Sequence, residues 1–335
     1  MSNVAHLPEE LLGRPATQSV RLIAQHYLDD AVAALARIED PEDTEALHDL
    51  RVALRRLRST LRAYRDQLQG SMRRKLRRRL RDIAEETNRI REAEVALDWL
   101  RPLAPQLNGH ERVGLRWLME RIEQQRADHL KRSLADVRRS FTTAEQGLRK
   151  GLAVYRQKVR SDRSAPEESF PSVARVALLQ HAERLDRLLE AVQGMEDEAL
   201  HRARIAAKRL RYLLEPLALV LPGGIALVER LKSLQDVLGE LHDLFEFEDE
   251  VRQAAAAAGA QRAGRLLDVA LADDPTEDDL KASRRRGYNP GLAAIGRRLR
   301  ARRSALYAEL STKWLGGDRV WSRAIEATAE PLATP

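Results

Sequence analysis

Two stretches of this sequence set a histidine three residues ahead of an arginine and then continue in cationic residues. His48 leads Arg51, Arg55, Arg56, Arg58 and Arg62; His201 leads Arg204, Lys208, Arg209 and Arg211. At 100° per residue, His48, Arg51, Arg55, Arg58 and Arg62 fall within a helical sector of about 80°. Leu47, Leu50, Leu54, Leu57 and Leu61 fill the neighbouring sector. Leucines at this period must face a core, so the basic stripe runs beside the core seam. The second stretch repeats the pattern, with Leu200, Ala203, Ala207, Leu210 and Leu214 beside its stripe. Like charges at i,i+3 and i,i+4 repel, and no acid interrupts either stripe. An external polyanion would supply the missing counter-charge. Guanidinium forks match phosphate oxygens bidentately. Both histidines fall in the first turns of their helices, where the dipole favours an anion. The alternative is that the arginines bridge to acids on neighbouring helices.

The two stretches belong to an internal repeat. Residues 45–61 (EALHDLRVALRRLRSTL) and 198–214 (EALHRARIAAKRLRYLL) are identical at 10 of 17 aligned positions. A weaker pairing follows, residues 80–95 against 231–246, in which Leu80/Leu231, Arg81/Lys232 and Glu92/Asp243 keep their character. This correspondence adds Arg81 and Lys232 to the candidate phosphate ligands. Duplication of a four-helix unit accounts for 335 residues better than two unrelated domains, with halves at 1–163 and 164–335.

Helical periodicity runs through nearly the whole chain. Helices are expected at about 17–38, 41–68, 72–100, from 109 into the 150s, 171–192, 197–219, 224–258 and 291–312. Asp40-Pro41-Glu42-Asp43 reads as an N-cap with Pro at N1. Gly70-Ser71 and Pro222-Gly223-Gly224 read as breaks, and fraying is expected near Gly147 and Gly151. Ser161 to Pro171 reads as a linker, Asp273 to Asp279 as an acidic loop preceded by a short helix, and the last dozen residues as loose.

Composition sharpens this. The chain carries 58 Lys+Arg, 50 of them Arg, against 51 Asp+Glu, for a net charge of +7. A hydrophobic content of 43% supports a core, and aromatics at 4% leave few faces for base stacking. An Arg-rich composition can also follow from a GC-rich genome. Cysteine is absent, which excludes disulfides, thiolate-held zinc, iron–sulfur clusters and thiol catalysis. No run of about 18 uncharged apolar residues is present, and Met1 to Glu10 lacks a signal-peptide core. A cytoplasmic protein without a membrane span is expected.

H-x-x-R-V-x-x-R-R-L-R, from His48 to Arg58, and H-x-x-R-I-x-x-K-R-L-R-Y, from His201 to Tyr212, resemble the motifs of the conserved histidine α-helical domain (CHAD) family. Arg91 to Val95 is similar to that family's RDxDV element, with Glu92 and Glu94 in place of aspartates. Leu234 to Asp243 is similar to its LQDxLGxxxD element, whereas Ala84 to Asn88 departs from that pattern. The resemblance runs from about Thr17 to the region of Trp321. It implies an all-α fold of two four-helix bundles related by a pseudo-twofold, with a basic surface or channel between them. It also implies binding of inorganic polyphosphate and association with polyphosphate granules and their proteins. The implied ligands are His48, Arg51, Arg55, Arg56, Arg58, His201, Arg204, Lys208, Arg209 and Arg211. The family's frequent triphosphate-tunnel domain is not expected ahead of the first helix.

Two other chemistries fit parts of the pattern. Glu45-x-x-His48 and Glu198-x-x-His201 have the spacing of carboxylate-bridged di-iron bundles, but an arginine stripe beside each histidine repels a metal cation. Nucleic acid suits the basic charge, including the runs at Arg73–Arg81 and Arg297–Arg303, and is expected only as a competing polyanion. No P-loop, dinucleotide fingerprint or nucleophile elbow occurs. Glu248, Asp249 and Glu250 are expected to pair with cations. No catalytic residue, metal or cofactor is assigned, and the expected protein is a binder without enzymatic turnover.

Overall fold

The computed structural model describes residues 11–333, apart from 39, 41–42, 44, 69–73, 154–167, 275 and 285–286. The predicted break at Gly70-Ser71, residues 161–167 of the predicted linker and the segment Met1 to Glu10 lie outside the described residues. Regular structure among the described residues is all helical, α-helix with short 3₁₀ segments at Arg101–Gln106, Glu215–Leu217 and Glu330–Ala333, and the one extended feature is an isolated antiparallel bridge between Pro15 and Ser169. The helices are α1 (Ala16–Arg37), α2 (Ala46–Ala63), α3 (Arg74–Leu100), α4 (Gly109–Ala153), α5 (Phe170–Glu190), α6 (Asp197–Leu214), α7 (Gly224–Leu271), α8 (Glu277–Arg284), α9 (Asn289–Lys313) and α10 (Val320–Thr328). None is long and apolar enough to cross a membrane.

The chain divides into two compact units. One comprises residues 1–88, 132–238 and 310–335, the other 89–131 and 239–309. In the first unit α1 packs on α2, α5 on α6, α2 on α6, and α10 on α5. Its core is aliphatic, with Leu50, Leu54 and Leu57 of α2 and Leu200, Ala203, Ala207 and Leu210 of α6 buried as the periodicity requires. In the second unit α4 and α9 meet backbone to backbone. A Cβ on Gly114 would sit 2.3 Å from the Tyr288 carbonyl oxygen and 2.9 Å from the Gly291 Cα, so only glycine fits. Beside this crossing Trp117 stacks on Tyr288, with ring centroids 4.7 Å apart and planes at 9°.

Capping explains where several helices start. Asn108 Oδ1 accepts from the His110 and Glu111 backbone N–H groups, and Glu111 Oε2 accepts from Asn108 N, a reciprocal cap that opens α4. Pro41 and Glu42 of the predicted cap lie outside the described residues. Asp43 Oδ1 accepts from Glu45 N and Ala46 N while Arg37 holds both carboxylate oxygens, so α2 starts at Ala46. Pro216 lacks an N–H, and α6 gives way at Glu215 to a turn of 3₁₀-helix instead of reaching residue 219.

Three further expectations are corrected. α4 runs through Gly147 and Gly151 without a break. α7 continues past Ala258 to Leu271, because alanine's helix propensity over 254–263 outweighs Gly259 and Gly264. The stretch up to residue 333 is ordered: Trp321 and Ile325 of α10 are buried, as is Leu332 beyond it. Its anchor is Asp186 of α5, buried and accepting from Trp321 N (3.0 Å), Ser322 N (2.7 Å) and Ser322 Oγ (2.6 Å). A carboxylate there meets the orphan donors and the positive dipole end of α10 together. Asp186→Ala is expected to lower unfolding free energy by about 3 kcal/mol, read from urea denaturation, with protease cleavage appearing first near residue 320.

Candidate functional site

The two histidine–arginine helices, α2 and α6, pack against each other in the first unit. Their contact is tied by one acid. Glu215, just past the end of α6, accepts from Arg56 Nε of α2 at 2.8 Å and lies 3.3 Å from Arg211 Nε of α6. The side chains of Arg56 and Glu215 are only 13% and 6% exposed. Burial pulls the Arg56 pKa down, but attraction and hydrogen bonding from Glu215 outweigh it, and the net shift is upward. Tyr27 of α1 lies against the same pair, and burial drives its hydroxyl pKa far above the normal range. Arg56 and Arg211 are therefore committed to an internal carboxylate.

The cations further along the same two helices are arranged differently. Arg58 and Arg62 of α2 and Arg209 of α6 come together with Arg184 and His181 of α5. Among the described residues none of these four arginines has an ion-pair partner. Burial and then the charges of Arg62, Arg184 and Arg58 push the Arg209 pKa down to about 10. Arg58 is also lowered, chiefly by burial; Glu85 is the largest charge acting on it and raises it, Arg62 and Arg81 lower it further, and Asp82 adds a smaller offset. His181 donates from Nδ1 to the Ala177 carbonyl at 2.9 Å. Its pKa is lowered by burial and by Arg209, Arg184 and Arg62, so the ring is neutral at pH 7. Arg62 and Arg184 are exposed and Arg58 and Arg209 half-buried, so the cluster opens to solvent with two cations recessed behind two at the rim. Arg55, one turn before Arg58, is half-buried. Its Nε is shut off from solvent without a hydrogen-bond partner among the described residues.

The remaining predicted residues take other positions. Arg51 is buried and donates from Nη2 to Asn88 Oδ1 at 3.1 Å. His48 is exposed in the first turn of α2, and His201, Arg204 and Lys208 are half-buried on α6. His48 stands ten residues before Arg58, about 15 Å away along the helix axis. Arg81 pairs within its own helix with Asp82 (3.3 Å) and Glu85 (3.5 Å), and Lys232 lies 3.7 Å from Glu229. Of the acids weighed above, Glu198 pairs with Arg202, Glu248 with Arg252 and Arg303, and Glu250 with Arg121. The basic run of α9 is largely neutralised, with Arg297 on Glu111 and Arg302 on Glu240.

Residue-by-residue reading of the sequence missed His181 and Arg184, yet a signal was present. His181-Ala182-Glu183-Arg184 carries the same H-x-x-R spacing as the two repeated motifs. It lacks their run of following arginines, so periodicity alone did not single it out. Glu215 was missed because its role depends on α2 and α6 lying side by side.

Residues 22–252 match the CHAD domain family. Among solved structures the fold is similar to the crystal structure of the CHAD domain from the plant Ricinus communis. The TM-score is 0.56 and the identity 20%, over 96% of this chain and 93% of that one. At that identity the likeness concerns the fold. No curated protein matches the chain.

The two groups of arginines should respond oppositely to charge removal. Glu215→Gln strands Arg56 and Arg211 as buried cations and is expected to lower stability by about 3–5 kcal/mol. Arg209 sits where its folded-state pKa is depressed. At neutral pH its charge therefore costs stability, and the cost is relieved only as pH rises through about 10. Arg209→Gln is expected to raise the melting temperature at low salt by about 2 °C or more. The gain should shrink as salt screens the cluster. Thermal melts across a salt series measure both.

Proposed function

This chain belongs to the CHAD domain family, and we propose that it binds inorganic polyphosphate at the arginine cluster of α2, α5 and α6. The observation behind this is the cluster itself: Arg58, Arg62, Arg184 and Arg209 approach one another with no ion-pairing carboxylate among the described residues. In a chain with 51 acids such an arrangement is easy to neutralise. Elsewhere in the same protein arginines of comparable exposure are neutralised, as on α9. Like charges held together by packing lose stability in the bare protein and recover it when an anion docks, so the repulsion becomes binding free energy.

The ligand chemistry follows from the donors. Four guanidiniums at two depths offer forked N–H pairs to tetrahedral oxyanions with no particular sequence. A chain of phosphates engages several at once and releases condensed cations as it does so. Its neighbouring phosphates extend along α2 towards Arg55 and His48, and along α6 towards Lys208 and His201. Arg56 and Arg211 act through Glu215 by fixing the two helices in place. His181, with Nδ1 held by Ala177, gains a reason to protonate once an anion offsets its arginine neighbours. Tyr64 of the chain after α2 and Tyr212 of α6 are buried, so neither offers a face for a nucleobase. Binding without turnover, the family's granule association, and a duplication origin for the two arginine-bearing helices complete the proposal.

The decisive measurement is affinity for long-chain polyphosphate, tripolyphosphate, duplex DNA and heparin. Long chains are expected to bind at least about 10-fold tighter than tripolyphosphate. The logarithm of affinity should fall linearly with that of salt, and no orthophosphate should be released. Arg58→Glu with Arg209→Glu is expected to weaken binding by at least about 100-fold at unchanged helical content, because it inserts anions among the donors. Equal affinity for short and long chains, a preference for DNA, or intact binding by the doubly reversed variant would overturn the assignment.

A further inference from the structure

The C-terminal half of α7, in the second unit, has an apolar face with nothing packed on it among the described residues. Ala263, Leu266, Leu267, Ala270 and Leu271 share one side of the helix and all are exposed. Leu266 is 44% exposed, Leu267 62% and Leu271 74%. Leucines clustered over little more than one turn of an exposed helix mark a contact surface. Gly264 lies on the edge of this face, and a Cβ placed there would meet no atom within 4 Å.

The charges around the face identify its occupant. Arg262 and Arg265 precede the leucines, and Asp273 and Asp274 follow immediately beyond the helix end. Among the described residues none of these four has an ion-pair partner. A twofold axis between positions 267 and 268 pairs position 262 with 273 and position 264 with 271. Antiparallel docking of two copies therefore brings Arg262 of each to Asp273 of the other. It also lays Leu271 of each over the side-chain-free surface at Gly264 of the other. The same arrangement sets guanidiniums beside the carbonyl end of the opposing helix, where the dipole favours cations. Parallel docking would set arginine on arginine and aspartate on aspartate.

We propose that residues 262–274 form a self-complementary surface through which two copies of this chain associate antiparallel about a twofold axis. The contact is short, so the dimer belongs to the weak end of specific association. It is carried independently of any polyphosphate site.

Sedimentation equilibrium from about 1 to about 500 μM, without polyphosphate, spans the range such a contact implies. The wild-type chain should shift from monomer to dimer. Leu267→Asp should weaken the dimer by at least about 30-fold, since it buries a charge at the centre of the face. The variant Arg262→Glu/Arg265→Glu and the variant Asp273→Arg/Asp274→Arg should each be monomeric alone, because each then carries one sign of charge at both ends. An equimolar mixture should dimerise, since the signs again match across the axis. All three variants change exposed or half-exposed positions, and circular dichroism should match wild type. A wild-type chain monomeric at the highest concentration, a dimer that tolerates Leu267→Asp, or a mixture that stays monomeric would each overturn the proposal.

Discussion

A single buried carboxylate makes the rest of the arrangement tenable. Glu215 lies between Arg56 of α2 and Arg211 of α6, and it joins the two helices that carry most of the molecule's candidate ligands. Two helices lined with cations along adjoining stripes would separate if only charge acted on them. Glu215 reverses the sign of the interaction at one level, and the buried leucines and alanines below it supply the apolar adhesion. With the helices pinned there, the arginines on either side have no freedom to move apart.

That constraint divides the basic residues into two kinds. Some are anchored: Arg51 on Asn88, Arg56 and Arg211 on Glu215, Arg81 on the acids of its own helix. Others are held near one another without such partners among the described residues: Arg58, Arg62, Arg184 and Arg209. The depressed Arg209 pKa expresses the difference energetically, since burial and three cationic neighbours all act against its charge. Packing elsewhere in the unit bears this cost. The four guanidiniums are thus already gathered in the folded chain, and an anion of the kind proposed would need no rearrangement to meet them.

Much of the fold was legible in the chain. The 3.6-residue period of leucine and alanine located most of the helices to within a few residues, but not the last 13 residues of α7 nor the short helices α8 and α10, and the same period put the arginine stripes beside the core seam. The misplaced ends have local causes that propensity does not encode. α2 begins late because Asp43 is engaged by Arg37, six residues before it. α7 runs on because alanine tolerates two glycines. Residues 320–333 are ordered because a carboxylate at position 186, 135 positions before Trp321, holds the start of α10.

By itself the sequence determined which side chains are cationic, on which helical face they stand, and that a His/Arg pattern occurs twice. Those properties follow from spacing, and spacing is local. Only the tertiary structure decided which cations are neutralised and which are not. Ion pairing depends on distances of a few ångströms between residues far apart in the chain, such as Arg56 and Glu215, and like-charge crowding such as that of Arg184 on Arg209 depends on the same proximity. It also brought α5 into the site, since His181 and Arg184 gain their significance from the helices they lie against. A charge's environment is a property of three-dimensional proximity, and no helical period specifies it.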